Sequence, residues 1–477
     1  VQTKNLIDGE WVEASDNATI TVTNPATDAP VAQVPSVGAN ETRSAIDAAW
    51  RARGPWARRA AADRGELIAK LAHLMRRDTD RLARIMTLEQ GKPLPEARSE
   101  IDYAASFLQW AAEEGKRLYG DIIPASTPDK RILVLRQPVG VTAIITPWNF
   151  PSAMITRKLG PALAAGCTVV IKPAEETPLS ALAVADLTCE AGFPPGVINI
   201  ITGDPIAITD AIFDDDRVRK LSFTGSTEVG RLLMAKAARN LLRLSLELGG
   251  HAPFLVFDDA DIEVALNAAL ACKFRNAGQT CISANRFYVQ AGIHPEFTAR
   301  FAQAIKQLTV GDGTREGVQI GPLINDAAIR KVEEHVDNAL SLGATVAVGG
   351  RRGAIPGLAD RFYTPTLIDG MTPDMLVSRE ETFGPVAPVA RFTHEREAIE
   401  LANNTQYGLA AYFFTRDASR LWRVAEALEF GIVAANDARP STAQAPFGGM
   451  KRSGIGREGG RYAMDEYTEL KYLSWQL

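Results

Sequence analysis

The chain has 477 residues, 46% of them hydrophobic, which is too long for one compact core and fits two large domains. Its formal net charge is −5 at pH 7 with no long basic run, which argues against nucleic-acid binding. Four cysteines without a CxxC pair, and five scattered histidines without HExxH, argue against a metal site and for free thiols in a reducing compartment. Asp8, Glu10, Glu13 and Asp16 make the N-terminus unlike a signal peptide, and the apolar stretch 162–171 is too short to span a bilayer. The expectation is a cytoplasmic protein without a membrane partner, with a transit peptide ahead of Val1 left open. Residues 40–118 read as helical, with helix-spaced apolar positions at 42–53, 64–77 and 99–118. A proline-bearing segment, 120–140, follows and contains an alternating, exposed strand at 131–136.

Beyond residue 140 the pattern changes. Short β-branched runs at 141–145, 168–171, 197–201, 218–223 and 243–246 alternate with helical stretches at 157–165, 179–191 and 227–238. That alternation predicts an α/β fold with a doubly wound parallel sheet, covered on both faces. A second alternating region, 252–433, with runs at 254–257, 287–290, 362–368 and 411–414, predicts a second α/β domain. The tail 467–475 reads as one more strand, to pair with 131–136 or with a partner subunit.

Ligands of such sheets bind beyond the carboxyl ends of the strands. Four polar stretches stand there: Thr146-Pro-Trp-Asn149, Lys172-Pro-Ala-Glu175, Thr224-Gly-Ser226 and Glu247-Leu-Gly-Gly250. Gly225 permits a tight turn, and a helix starting at Ser226 offers free N–H groups to a phosphate, although a simple turn explains the same residues. Glu175 can accept ribose hydroxyls and repel a 2′-phosphate, or be one half of a solvated pair with Lys172. Cys281 differs from Cys167, Cys189 and Cys272, which read as small hydrophobes. Its polar flanks, Gln279, Thr280, Ser283 and Asn285, with an arginine nearby, suggest an exposed thiol whose pKa is lowered towards neutrality. Glu247, after an apolar run and before two glycines, is a general base or a surface carboxylate. Asn149 is an oxyanion donor or a turn asparagine.

Taken together, these stretches resemble the aldehyde dehydrogenase superfamily over essentially the whole chain. Glu381-Thr-Phe-Gly-Pro385 and Pro446-Phe-Gly-Gly449 complete seven matching motifs in the family's order. The resemblance implies Cys281 as nucleophile, Glu247 as general base, and an oxyanion site from the Asn149 amide and the Cys281 N–H. It implies a dinucleotide held by Thr146, Trp148, Lys172, Glu175, Gly225 and Ser226, with Glu381 on the nicotinamide ribose and Phe383 against the ring. The Lys-x-x-Glu pattern implies NAD, with NADP accepted less well. The implied division is a NAD-binding domain from 1–119 and 141–249, a catalytic domain from 250–450, and a β oligomerisation arm from 120–140 and 451–477. A homodimer or homotetramer is the implied assembly.

Arg157, Arg275 and Ser441 resemble the carboxylate-binding residues of the succinate-semialdehyde dehydrogenase branch. A guanidinium fork binds a carboxylate bidentately, and structural ion pairs with Asp or Glu are the alternative role. The loop 436–444, with Asp437 and Arg439, is more polar than that branch usually shows, so glutarate semialdehyde, 2-oxoglutarate semialdehyde or an aromatic acid aldehyde remain candidate substrates. Ser283 stands where some relatives carry a second cysteine, so no disulfide switch is expected beside Cys281. Three competing readings are a thiol esterase or acylating enzyme without net redox chemistry, a crystallin-like structural relative, and a Cys–His hydrolase. Intact cofactor motifs, the presence of both Cys281 and Glu247, and the lack of a suggestive histidine motif count against them in turn.

Overall fold

The structure, a computed structural model, describes residues 2–477. An eight-stranded sheet runs in the order Gly454–Ile455, Arg243–Glu247, Val218–Thr224, Val141–Ile145, Thr168–Lys172, Ile198–Ile200, Asn5–Ile7, Glu10–Val12. Its five inner strands are parallel, and the additions at both edges are antiparallel. The chain winds outward from Val141–Ile145 through Thr168–Lys172 to Ile198–Ile200, then returns to the other side through Val218–Thr224. The reversal falls between Val141–Ile145 and Val218–Thr224, so the connections after these neighbours diverge and leave a crevice. Thr146 and Gly225 are the first residues past those two strands.

The strands are apolar on both faces because helices cover both faces. Helix Ala153–Ala165 is buried along its whole length, and Arg157 and Lys158 are buried with it. Two charged side chains inside an apolar helix need partners, and their identity decides what this region does.

The second sheet has seven strands, in the order Thr345–Val348, Thr366–Asp369, Val386–Phe392, Ala284–Gln290, Ala252–Val256, Ala410–Phe414, Ile432–Ala435, and only Thr345–Val348 is antiparallel. Phe254 anchors its core, with its ring 4.9 Å from Phe287 and 4.8 Å from Phe414. The third sheet joins Asp121–Ile123, Lys130–Pro138 and Thr468–Gln476. The tail therefore pairs within its own chain, in register from Thr468 opposite Pro138 to Gln476 opposite Lys130. Its exposed apolar side chains include Ile122, Leu470, Tyr472 and Trp475. The α/β reading and the small β arm both hold.

Several boundaries differ from expectation. The run 362–368 becomes a strand only at Thr366, because Pro365 has no N–H for the ladder. The N-terminal strands Asn5–Ile7, Glu10–Val12, Thr19–Thr23 and Pro30–Pro35 are not among the expected elements, although Thr19-Ile-Thr-Val-Thr23 alternates strictly. Within the segment assigned to the arm, Gly454–Ile455 instead extends the first sheet beside Arg243–Glu247. No helix among the described residues is long and apolar enough to cross a membrane.

Candidate active site

Cys281 lies in a short turn between helix Ile262–Phe274 and strand Ala284–Gln290. The approach is irregular: Asn276 and Ala277 adopt left-handed φ values of 52° and 54°. Buried amides hold this shape. Gln279 Nε2 donates to the Asn276 carbonyl at 3.1 Å, and Gln279 Oε1 accepts from the Ile324 N–H at 2.9 Å. Gly278 sits at φ +76°, where a Cβ would also collide with the Gly384 carbonyl. The polar residues that flank Cys281 in sequence are thus largely its scaffold.

The Cys281 thiol is free and only half-buried by surface. Its pKa is pushed up to about 12, first by burial and then by the Glu247 charge, with Glu381 adding to the rise while Arg157 and Arg275 oppose it. The sequence suggested a thiol lowered towards neutrality. That expectation is corrected, because desolvation and two carboxylates outweigh two guanidiniums. At neutral pH this group rests as the protonated thiol.

Glu247 ends its strand, and Gly249 and Gly250 bring the following turn against the Cys281 loop. A Cβ on Gly250 would strike the Cys281 carbonyl, and one on Gly249 would lie 2.8 Å from Glu381 Oε2. Both Glu247 carboxyl oxygens are buried without a hydrogen-bond partner. Burial, and then the neighbouring Glu458 charge, raise the Glu247 pKa, while Arg157, Lys158 and Arg457 pull it down. A carboxyl group in this state can accept a proton and hold it in the neutral form.

Asn149 is buried beside the same turn. Its Nδ2 donates to the Gln279 carbonyl at 3.1 Å, which leaves a second N–H on that nitrogen. Its carbonyl accepts from Lys92 Nζ at 2.8 Å and from Asn276 Nδ2 at 3.0 Å. Lys92 is ion-paired to Glu100, which accepts the Ser152 and Ala153 N–H groups at 3.0 and 3.1 Å. These buried residues position Asn149. Sequence reasoning missed them because their partners lie far apart in the chain.

The residues expected to hold a dinucleotide gather at the carboxyl end of the first sheet. The Thr146 N–H donates to the Lys172 carbonyl at 3.1 Å, so these two strand ends advance together. Lys172 Nζ is ion-paired to Glu175 and donates to the Pro173 carbonyl at 3.1 Å. Ser226 caps helix Thr227–Ala237, accepting the Val229 N–H at 3.2 Å while its own hydroxyl hydrogen stays available. Gly225 does not use a left-handed turn; a side chain there would run into the Phe223 ring. Trp148 and Phe383 meet edge to face at 5.6 Å, and Phe383 is held at φ 55°. Glu381 Oε1 accepts the Gly250 N–H at 3.0 Å, and burial raises its pKa to about 7. A helix start with unused N–H groups, carboxylates at two separate points and Gly249–Gly250 without side chains fit a dinucleotide.

The two arginines that resembled a carboxylate clamp have different surroundings. Arg157 is 1% exposed, ion-paired to Glu458, and packed 4.0 Å from the Phe447 ring centroid. The structural ion pair is therefore the role that the structure shows for Arg157. Lys158 joins the same Glu458 and donates to Thr224 Oγ1 at 2.6 Å. These two cations hold the Glu458 pKa down against its burial. Arg275, in contrast, is half-buried, lies 5.2 Å from the Phe150 ring centroid, and has no ion-pair or hydrogen-bond partner among the described residues. It lines an open cavity of about 610 Å³ whose wall includes Phe150, Ile282, Ser441 and Arg439. Phe150 and Ile282 of this wall are the neighbours in sequence of Asn149 and Cys281. Ser441 Oγ is hydrogen-bonded to the Tyr103 hydroxyl.

Comparison with known proteins agrees with this geometry. The profile of the aldehyde dehydrogenase family matches residues 11–473. The chain is 54% identical to a succinate-semialdehyde dehydrogenase (NADP+) of Escherichia coli, over 98% of this chain and 96% of that one. It is 53% identical to a glutarate-semialdehyde dehydrogenase of Pseudomonas aeruginosa, again over 98% and 96%. The crystal structure of succinate-semialdehyde dehydrogenase from Burkholderia pseudomallei superposes with a TM-score of 0.98 at 52% identity, covering 100% of this chain and 98% of that one. With a family profile spanning nearly its whole length and full-length relatives of this similarity, the chain belongs to the aldehyde dehydrogenase family.

Proposed function

We propose that this enzyme oxidises a small carboxylate-bearing aldehyde, succinate semialdehyde first among them, to the acid, with NAD preferred. One observation carries the substrate class: Arg275 stands unpaired in the cavity wall, next to the turn that bears Cys281. A half-buried guanidinium without a protein acceptor keeps its N–H donors free for a visiting carboxylate. Ser441 adds a hydroxyl on the same wall. Arg157 is committed to Glu458, so its part is to lend positive potential from behind the thiol, where it opposes the rise in the Cys281 pKa.

The chemistry follows from the side chains. Glu247 takes the Cys281 proton, and the sulfur forms a bond to the aldehyde carbon. The oxygen that becomes negative is held by the free N–H of Asn149 Nδ2 and by the Cys281 N–H, each donor worth about 3–4 kcal/mol of barrier. The dinucleotide, held by Thr146, Trp148, Lys172, Glu175, Gly225, Ser226, Glu381 and Phe383, supplies the acceptor for the aldehyde hydrogen. Glu247 then releases the first proton to solvent, removes a proton from water as its oxygen attacks the Cys281 thioester, and passes that proton to the leaving sulfur, which frees the acid and returns the thiol. The unpartnered Glu247 oxygens and the raised Glu247 pKa favour both proton transfers. Glu175 favours NAD, since a carboxylate beside the ribose repels a 2′-phosphate, whereas the similar E. coli enzyme is named for NADP+.

The test is a panel of ω-carboxy and neutral aldehydes assayed for acid and reduced cofactor, with NAD and with NADP. Arg275→Ala is expected to raise KM for the acidic aldehydes far more than for neutral ones of equal length. Equal effects on both classes would remove the carboxylate reading, and turnover without reduced cofactor would favour an esterase.

A further inference from the structure

We infer that Arg439 is a second specificity-determining cation of this cavity, placed to take the terminal anionic group of ω-anionic aldehydes too long for that group to end at Arg275. This inference rests on the proposed substrate class. Three observations support it.

The first is size. The cavity of about 610 Å³ belongs to the range that encloses drug-sized ligands, not a four-carbon acid. Its wall is largely apolar, including Leu270, Phe274, Leu308, Val318 and Ile320. An unbranched or aryl spacer between the aldehyde and the anion would cover that wall, which a four-carbon chain leaves wet.

The second is that the loop carrying Arg439 is fixed while its guanidinium is not. Asn436 Oδ1 accepts the Thr415 N–H at 3.1 Å, and Asn436 Nδ2 donates to the Thr415 carbonyl at 2.9 Å. The Cys272 thiol donates to the Ala438 carbonyl at 3.3 Å. The Arg439 N–H donates to Asp437 Oδ1 at 2.9 Å, and Ser441 is bonded to Tyr103. The anchors lie on both sides of Arg439, which is exposed at the cavity wall and whose side chain has no ion-pair or hydrogen-bond partner among the described residues.

The third is charge. Of the cavity's charged residues, Lys92 is ion-paired to Glu100, and Glu96 accepts the Asn276 N–H and is acted on by Arg275 without an ion pair, so Arg275 and Arg439 are the wall's cations that lack an ion-pair partner. Both act on the Cys272 thiol, with Asp437 acting in the opposite sense, so the two guanidiniums flank one stretch of the wall. Arg275 also acts on the Cys281 thiol, whereas Arg439 is not among the groups that chiefly act on it, so the two cations suit anions at two distances from that sulfur.

The experiment uses the full-length enzyme and ω-carboxy aldehydes of four, five, six and eight carbons, each beside its neutral methyl ester. KM and kcat are measured for the parent, Arg439→Ala, Arg439→Lys and Arg275→Ala. In Arg439→Ala the ratio of KM for acid to KM for ester is expected to rise about tenfold for the six- and eight-carbon chains, and by less than about twofold for the four-carbon chain. Arg439→Lys is expected to recover most of the loss, and Arg275→Ala to show the opposite length dependence. A ratio in Arg439→Ala that matches the parent at every length overturns the inference, as does a rise independent of length. If Arg275→Ala does not separate acids from esters at any length, it is the carboxylate reading itself that fails, a result distinct from failure at Arg439 alone.

Discussion

Two clusters of buried charge lie side by side in this protein, and they are built on opposite terms. Around Glu458 every charge is answered: Arg157 and Lys158 both pair with it, and Lys158 also reaches Thr224. Around Cys281 little is answered: both Glu247 oxygens and Asn149 Oδ1 are buried without partners. An unsatisfied buried polar group costs about 1–3 kcal/mol, so a fold selected for stability alone would not gather three such atoms in one place. The satisfied cluster suits a support, and the unsatisfied one suits the catalytic role proposed for it.

The sharpest way to break this contrast is at the sulfur. Cys281→Ala is expected to lower aldehyde oxidation by on the order of a thousandfold or more while leaving the protein folded. Activity near the parental level would end the assignment. Next in size is the support. Arg157→Ala leaves Glu458 buried and short of a cation, with an expected loss of about 3–5 kcal/mol in stability, read by denaturant unfolding. A loss under about 1 kcal/mol, joined to a selective rise in KM for acids, would return Arg157 to the substrate pocket. Thermal or denaturant data must therefore accompany any kinetic use of that variant.

Glu247→Gln should slow turnover about a hundredfold without loss of stability, since it removes the base and relieves a buried charge. The pH dependence has a definite sign. Folding raises the Glu247 pKa, so its contribution to stability is present at acid pH and lost as pH rises through the folded pKa. The stability advantage of Glu247→Gln over the parent should grow with pH across that range. In the parent, turnover needs the ionised form, so its acid limb should lie above the usual carboxylate range. An acid limb at an ordinary carboxylate pKa would contradict this. The smallest expected effect concerns the cofactor: Glu175→Ser should shift the NAD to NADP ratio of kcat/KM about tenfold towards NADP.

Much of this was legible because the site motifs are local. Lys172-Pro-Ala-Glu175, Glu247-Leu-Gly-Gly250 and the residues before Cys281 each declare a strand end or turn in a few consecutive letters. The alternation of strands and helices likewise announced both parallel sheets. What stayed hidden was long-range. Glu458 is separated from Arg157 by about three hundred residues, and nothing around it marks an ion-pair partner. The adjacent pair Arg157-Lys158 in an otherwise apolar helix was the available signal, since buried cations require an acid. The direction of the Cys281 shift was hidden for the same reason: burial and the approach of Glu247 and Glu381 are properties of the folded chain. Gly225 shows a subtler limit, because its glycine answers a phenylalanine ring rather than a backbone angle.

The central claim is a covalent acyl group on one sulfur. The parent enzyme, mixed with succinate semialdehyde and NAD and quenched in acid within the first turnover, should carry a succinyl thioester on the peptide that contains Cys281, seen by mass spectrometry and rising together with the NADH formed. NADH formed without that adduct, or an adduct on any other residue, would contradict the account.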